Sequence, residues 1–507
     1  MSATSELCRL EAIIDASGVP GKIEALLPVG VRPRQLSVRT LLIGMLIALS
    51  DKRPAHLRRI HEALICLPEA DRRRLGVIAQ WESGPHLLSY RQTERTFGLA
   101  NRVLSKERPD GRPSEILSEV TDALIEASVK ALGGGRGPQS SSYAIDWSDY
   151  ESFARPPHKD GRCADAQAAW GHRKTNHPGR SETFFGYHLQ AVTIVREEGG
   201  PDVPELVRRI TLASCKEDPP AQIVPVIERM REDGIEIADL LGDSGYAYRA
   251  PETFAMPMRQ AGAKLVIDLH PNDRGPKGTH MGAILANGNL YCPATPKALF
   301  GLGPLAPGAG QQQTQEHDCR CAELARYKLS PLSAPDQDGY HRAICPAAAG
   351  KLRCPLRPAS MGLSHEHPTI IDPPEHPPTC CVQQTITVPA SVNAKTKQKH
   401  DYPSAAHRAS YARRTAAERS FSQVCDPASN DIKRGWCRLM GTTPNALMLT
   451  CVFVVANVRV ADAFAARQAE DRRRRAHGLP PRKRAKRRHS LHDLMAADAN
   501  APPAIAA

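Results

Sequence analysis

The sequence contains no apolar run long enough to cross a membrane. A spanning helix needs ~20 largely apolar residues, whereas the longest candidate covers only residues 446–456. The N-terminal residues also lack the basic-then-apolar order of a signal peptide. We therefore expect a cytoplasmic protein with no membrane partner, whose 14 cysteines stay reduced and are open to metals rather than to disulfides.

Acidic residues are absent from a strongly basic segment near the end of the chain. The formal net charge is +13, and ten Lys and Arg residues fall within residues 472–488. Subtracting these ten leaves a net charge of only about +3 for the rest of the chain. Such a segment is either a solvated tail or a contact for a polyanion. We expect residues 462–507 to form a basic, disordered tail.

The length of 507 residues predicts more than one domain, since single cores usually stop growing at about 250–300 residues. Residues 1–131 are expected to form a helical domain, because apolar residues recur at helical intervals in residues 41–49, 57–67 and 90–104. Arginines beside these helices suit contact with a nucleic acid backbone, although an ordinary solvated face would look the same. The Gly- and Ser-rich residues 132–142 end this domain.

An α/β domain is predicted to begin at Tyr143 and to run over residues 143–269. Strands are expected at residues 143–148, 184–195, 206–212, 237–241 and 264–269, with helices at residues 222–232 and from about residue 251. Three strands, a helix, a strand, a helix and a strand are the order of a mixed sheet flanked by helices.

Regular patterning stops between residues 270 and 409, where 18 of the 43 prolines lie. We expect an irregular insertion domain there, held by something other than a large core. Helical pattern returns at residues 410–424 and 443–460. Residues 410–461 are therefore expected to complete the α/β domain, with the second helix buried against the sheet.

Two acids are predicted to stand at the ends of buried strands, Asp146 and Asp243. Cleavage of a phosphodiester by two metal ions needs carboxylates that converge from separate elements, and Mg²⁺ prefers such oxygen ligands. Taken alone, each acid could equally belong to a turn or cap a helix. Asp149 and Asp160 are rivals for the first position, but neither ends an apolar strand.

Three local motifs resemble those of the DD-E transposases of bacterial insertion sequences, whose catalytic domain has the ribonuclease-H-like fold. Residues 145–148, Ile-Asp-Trp-Ser, are similar to the first-acid strand, and residues 185–189, Phe-Gly-Tyr-His-Leu, to the strand that follows it. Residues 241–246, Leu-Gly-Asp-Ser-Gly-Tyr, resemble the second-acid motif. Tyr411, Arg414 and Glu418 have the spacing of the third motif, and on one helix they would share a face.

The resemblance implies a catalytic site in which Asp146, Asp243 and Glu418 bind two Mg²⁺ ions, with Mn²⁺ as a substitute. It also implies double-stranded DNA as partner, both element ends and target, with a homodimer or higher oligomer on that DNA and a nucleoid-associated location. DNA contacts are expected from Tyr411, Arg414, Arg419, Tyr246, Lys433 and Arg434. The chain departs from many family members at Cys425, where they carry Lys, which leaves one DNA contact unassigned.

Seven cysteines lie in the proline-rich insertion: Cys292, Cys319, Cys321, Cys345, Cys354, Cys380 and Cys381. A structural Zn²⁺ ion could replace the core that this segment lacks, because binding free energy then becomes folding free energy. None of the seven shows the paired Cys-x2-Cys spacing of strong zinc motifs. The alternative is a set of small buried residues without a metal.

The sequence therefore predicts a DNA transposase that cuts the ends of its element and joins them to target DNA. Two alternatives remain open. One is a DNA-binding regulator with an inert ribonuclease-H-like core, and the other is a nuclease that cuts without joining.

Overall fold

The computed structural model describes residues 3–28, 34–82, 84–105, 115–133, 140–157, 161–174, 181–306, 308–337 and 339–482. Three predicted features lie wholly or partly outside these residues: Asp160, residues 134–139 of the Gly- and Ser-rich linker, and the basic tail from residue 483 onward. By internal contacts the chain forms two units, residues 1–460 and residues 461–507.

The N-terminal part is helical, as predicted, with seven helices in the described residues. These are α1 (Ala3–Ser17), α2 (Val19–Leu26), α3 (Val38–Ser50), α4 (Leu57–Ile65), α5 (Glu69–Arg74), α6 (Tyr90–Leu104) and α7 (Glu115–Gly133). Ser89 and Gln92 form a capping box that fixes the start of α6. The sequence did not predict the antiparallel hairpin of β1 (Ile78–Trp81) and β2 (Gly84–Leu87) that precedes α6.

The next six strands form one mixed sheet. They are β3 (Ser142–Glu151), β4 (Ala169–Lys174), β5 (Ser181–Val195), β6 (Val207–Ser214), β7 (Asp239–Gly242) and β8 (Lys264–Ile267). The long strand β5 pairs antiparallel with β3 along one edge and with β4 and β6 along the other. On the far side of β3, strands β7 and β8 continue the sheet in parallel.

Helices α8 (Pro219–Glu232), α9 (Ser244–Ala247) and α10 (Ala255–Gln260) connect the last three strands of this sheet. The domain is therefore mixed α/β, with the predicted order of long elements. Strand β4 is an addition, because no strand was predicted between residues 148 and 184.

The insertion is more regular than expected. It contains two antiparallel sheets of three strands each, formed by β9 (Pro276–His280), β10 (Ala283–Ala286) and β11 (Asn289–Tyr291), and by β12 (Ser330–Pro331), β13 (His341–Ile344) and β14 (Ile386–Val388). Helices α11 (Gln311–Arg326) and α12 (Thr379–Val382) accompany them. Two small clusters of buried residues, rather than one large core, lie among these elements.

Three helices follow the insertion: α13 (Ala405–Tyr411), α14 (Thr415–Cys425) and α15 (Thr442–Ala476). Helix α15 is long and apolar enough to cross a membrane, but 72% of its apolar window is buried inside the protein. The Asn457 amide side chain exchanges hydrogen bonds with the backbone of Val207 on β6. The part of α15 up to residue 460 thus packs against the sheet, as predicted for residues 443–460.

Candidate active site

The parallel pairing of β3 and β7 brings Asp146 and Asp243 together. Tyr143 pairs with Leu240 and Ala144 with Leu241. Continuing this register by two residues along both chains leads to Asp146 and Asp243. Asp146 does not end its strand, as expected from sequence, but lies in the middle of β3, where it pairs with Ala191 of β5. The shorter strand β7 is the one that ends beside it.

Asp243 holds its position through its own backbone neighbourhood. It is the N-cap of α9, and its carboxylate accepts a 2.9 Å hydrogen bond from the Gly245 N–H. A Cβ atom at Gly245 would come within 2.2 Å of the Trp147 ring. The glycine two residues after Asp243 is therefore required by the close approach of β3, which explains part of the motif in physical terms.

The carboxylate of Asp146 interacts electrostatically with those of Asp243 and Glu418. Burial, followed by the negative charge of Asp243, raises the pKa of Asp146 to about 6, and Glu418 adds to this effect. The positive charge of Arg414 and the Trp147 N–H, which donates to the Asp146 carboxylate at 2.9 Å, act in the opposite direction. The side chain of Asp146 is only 17% exposed, so solvent screens these interactions weakly.

Glu418 comes to the site on α14, but not on the single continuous helix predicted for residues 410–424. Tyr411 ends α13, a short 3-10 turn follows at Ala412–Arg414, and α14 begins at Thr415. The contacts between the motif residues are nevertheless kept. The Arg414 guanidinium lies 5.4 Å from the centre of the Tyr411 ring and forms an ion pair with Glu418.

Aromatic side chains form the wall beside the acids. The rings of Trp147 and Tyr246 meet edge to face, with centres 4.7 Å apart. The Tyr246 hydroxyl donates to the Gln190 side chain at 3.0 Å, and only 1% of Tyr246 is exposed. Tyr246 therefore packs the wall and has almost no exposed surface, and its expected contact with DNA stays a prediction. Gln190, on β5, was missed in the sequence because an isolated Gln within an apolar strand carries no motif.

The remaining predicted DNA contacts have other partners in this structure. Arg419 forms an ion pair with Glu205, and Lys433 one with Asp431. Arg434 donates to the backbone carbonyls of Phe153 and Ala154 at 3.4 Å. Arg414, by contrast, forms ion pairs with the acids themselves. Its Nη1 lies 3.7 Å from Asp146 Oδ2.

The rival acid Asp149 has a different environment. It lies three residues after Asp146 on β3, so it points to the opposite face of the sheet. There Arg173 Nε lies 3.1 Å from its carboxylate, and Arg173 also pairs with Glu151. Asp149 is thus satisfied by a local ion pair away from Asp243 and Glu418.

A buried ion-pair network next to the site was also missed. The Arg413 guanidinium bonds Asp239, at the start of β7, at 2.8 Å, and both side chains are nearly inaccessible. Lys399 bonds the same carboxylate at 2.8 Å. These contacts connect the turn before Glu418 to the strand before Asp243. Sequence could not reveal them, because Asp239 and Arg413 are 174 residues apart.

The acids offer the chemistry that a divalent ion prefers, namely carboxylate oxygens converging from a strand, a strand end and a helix. In the described residues, however, no group of three or more His, Cys, Asp or Glu side chains is arranged to hold a metal ion. The carboxylate of Glu418 is instead paired with Arg414. The Oε1 atom of Glu418 would be available to an ion only if this pair opened.

The seven cysteines of the insertion separate into two sets. Cys292, Cys345, Cys354, Cys380 and Cys381 are buried, whereas Cys319 is exposed and Cys321 partly so, both on α11. Burial raises the pKa of Cys292 to about 12, with smaller effects from Cys345, Cys381 and Cys354. The five buried thiols therefore lie in one neighbourhood, and α11 carries the other two.

No protein-family model matches this chain, and no curated protein matches it either.

Proposed function

We propose that this protein is a DNA transposase, with a ribonuclease-H-like catalytic domain, that cuts the ends of its own element and joins them to target DNA. The observation that carries the proposal is that Asp243 and Glu418 both lie near enough to Asp146 to act on its charge. These acids come from three separate elements, yet two of them alter the pKa of the third. A cluster of like charges opposes folding and is typical of a functional site.

The mixed sheet flanked by helices supports the proposal, since a fold of this kind is what the resemblance implies. In the proposed site, Asp146, Asp243 and Glu418 would hold two divalent ions, Mg²⁺ or Mn²⁺. Such ions stabilise the attacking and leaving oxygens of phosphodiester displacement when bound. Tyr411 and Arg414 stand beside the acids, where a guanidinium suits the recognition of a phosphate.

The proposed function is tested with the DNA that flanks the coding region on both sides. End-labelled fragments of it, incubated with the protein, Mg²⁺ and a supercoiled plasmid, should give nicks at one position in each flank and labelled plasmid. Nicks without labelled plasmid would favour a nuclease that never joins. Binding without nicks would favour a regulator. These two results would overturn the assignment as a transposase.

We also propose that four of the five buried thiols of the insertion bind one structural Zn²⁺ ion, which takes four ligands. As they stand they are not arranged as a metal site, so the proposal rests on their shared neighbourhood and on the surrounding backbone. The backbone N–H of Ala294 acts to lower the pKa of Cys292, and those of Leu356 and Arg357 that of Cys354, although burial raises both pKa values by more. Nearby N–H groups stabilise a thiolate, which is the form that binds zinc.

Metal analysis of protein purified without chelator should therefore find about one zinc per chain. Cys345→Ser and Cys354→Ser should each lower the zinc content and the melting temperature. Cys319→Ser is the matched control, because Cys319 is exposed on α11, and it should keep the zinc. Well-folded wild-type protein without zinc would return the thiols to the role of small buried residues.

A further inference from the structure

Arg414 lies between two of the three acids. Its Nη1 is 3.7 Å from Asp146 Oδ2, and its Nη2 is hydrogen-bonded to Glu418. The Arg414 side chain is only 15% exposed, whereas Glu418 is half exposed. The guanidinium thus offsets part of the negative charge around Asp146 and pairs with Glu418.

The surroundings keep Arg414 charged but do not satisfy it fully. Burial acts to lower the pKa of Arg414, but Tyr411, Glu418 and Asp146 together raise it. Its Nε is buried without a hydrogen-bond partner in the described structure. Because a guanidinium carries five N–H donors, Arg414 retains donor capacity for a further anion.

A divalent cation and Arg414 would compete for the same carboxylates. Asp146 already experiences the charges of Asp243 and Glu418, which a positive group must offset. A divalent ion bound to these acids would supply that charge and would repel the guanidinium at short range. The Glu418 oxygen that bonds Arg414 becomes available to the ion only if that pair opens.

We propose that Arg414 is a built-in counter-cation that a divalent metal ion displaces, and that a DNA phosphate is its alternative partner. The inference rests on the proposed function and deepens it. Metal and DNA then assist each other's binding: the phosphate that takes up Arg414 frees the acids for metal, and the bound metal frees Arg414 for the phosphate. Such coupling is reciprocal by linkage. The free protein would hold metal weakly until DNA arrives.

The test measures binding of Mn²⁺ to the full chain through the electron paramagnetic resonance signal of free Mn²⁺. This readout does not depend on DNA cleavage. Arg414→Gln should bind Mn²⁺ about tenfold more tightly than wild type in the absence of DNA, a typical coupling. Arg414→Lys, which keeps the charge, should remain closer to wild type. Arg173→Gln is the matched control, because it removes the same charge on the opposite face of the sheet, at a residue paired with Asp149, and it should change the affinity little.

Adding a DNA duplex of mixed sequence should tighten Mn²⁺ binding by the wild type and have less effect on Arg414→Gln. The inference is overturned if Arg414→Gln binds Mn²⁺ no better than wild type. If that variant fails to fold, a wild-type Mn²⁺ affinity that duplex DNA leaves unchanged overturns it instead. Equal Mn²⁺ binding by wild type and Asp146→Asn would be a different failure. It would mean that the acids do not hold the metal, and the proposed function itself would fall.

Discussion

Asp146→Asn, Asp243→Asn and Glu418→Gln are each expected to abolish Mg²⁺-dependent nicking of end DNA. Each substitution keeps the shape of the side chain but removes the negative charge that holds a cation. Metal-ion catalysis contributes several kcal/mol to lowering the barrier, so a loss of about a thousandfold or more is expected for each variant. The measurement is strand cleavage of labelled end DNA on a denaturing gel, with DNA binding followed in parallel by gel shift.

The matched control for this series is Asp149→Asn. It makes the same change on the same strand, three residues further on, where the carboxylate pairs with Arg173 instead of lying beside Asp243. Cleavage by this variant should stay near the wild-type rate. Near-normal cleavage by one of the three acid variants would remove that residue from the site, and near-normal cleavage by all three would refute the assignment.

Asp146→Asn should also stabilise the metal-free protein at neutral pH. Folding raises the pKa of Asp146 to about 6 through burial and the charge of Asp243, against about 3.9 for an unfolded Asp. The folded state therefore binds the proton more tightly than the unfolded state does. The contribution of Asp146 to stability is fully present below about pH 4 and is lost as the pH rises towards and through about 6. At pH 7.5 the wild type bears this cost, whereas the amide does not.

The expected gain at pH 7.5 is about 1–3 kcal/mol, since each unit of pKa difference corresponds to about 1.4 kcal/mol and the lost contact with Arg414 offsets part of it. Calorimetric melting in EDTA between pH 4 and pH 8 measures it. Asp15→Asn should show the opposite sign at neutral pH, because the hydrogen bond from Arg39 lowers the pKa of Asp15. Two results would contradict this prediction. One is an equal free energy of unfolding for wild type and Asp146→Asn at pH 7.5, and the other is a difference between them that does not shrink towards pH 4.

Short-range patterns were enough to predict the elements that depend on them. Runs rich in Val, Ile and aromatic residues placed β5 and β6 within a few residues, and apolar residues at helical intervals placed α6 at Tyr90–Leu104. The hairpin of β1 and β2 escaped prediction because its strands are only four residues long and largely solvent-exposed. Strands that are so short and that bury no residue show no clear alternation of apolar and polar residues.

For the candidate site, the sequence singled out three acids but not the way in which the fold positions them. Asp146 was expected at a strand end, whereas it lies within β3 and the neighbouring strand β7 is the one that stops. The length of β3 depends on pairing with β5, a contact between residues about 45 apart in the chain. Likewise, the burial of Tyr246 depends on Trp147 and Gln190, which no local pattern around Tyr246 reveals.

The break between α13 and α14 shows the same limit. Residues 410–424 contain no proline or glycine, so the local pattern predicts one helix. In the structure, Arg413 of the 3-10 turn bonds the Ser410 carbonyl and Asp239 of the sheet. Tertiary contacts of a buried charge therefore outweigh the helical preference of the segment.

The central proposal is that Asp146, Asp243 and Glu418 form a single metal site. Anomalous X-ray diffraction from crystals of the protein grown with saturating Mn²⁺ tests this claim most directly. We expect manganese density in contact with the carboxylates of Asp146 and Asp243, with Arg414 moved away from Glu418, and no such density in Asp146→Asn. Crystals of the wild type with manganese absent from these carboxylates, or with unchanged manganese in Asp146→Asn, would contradict the claim.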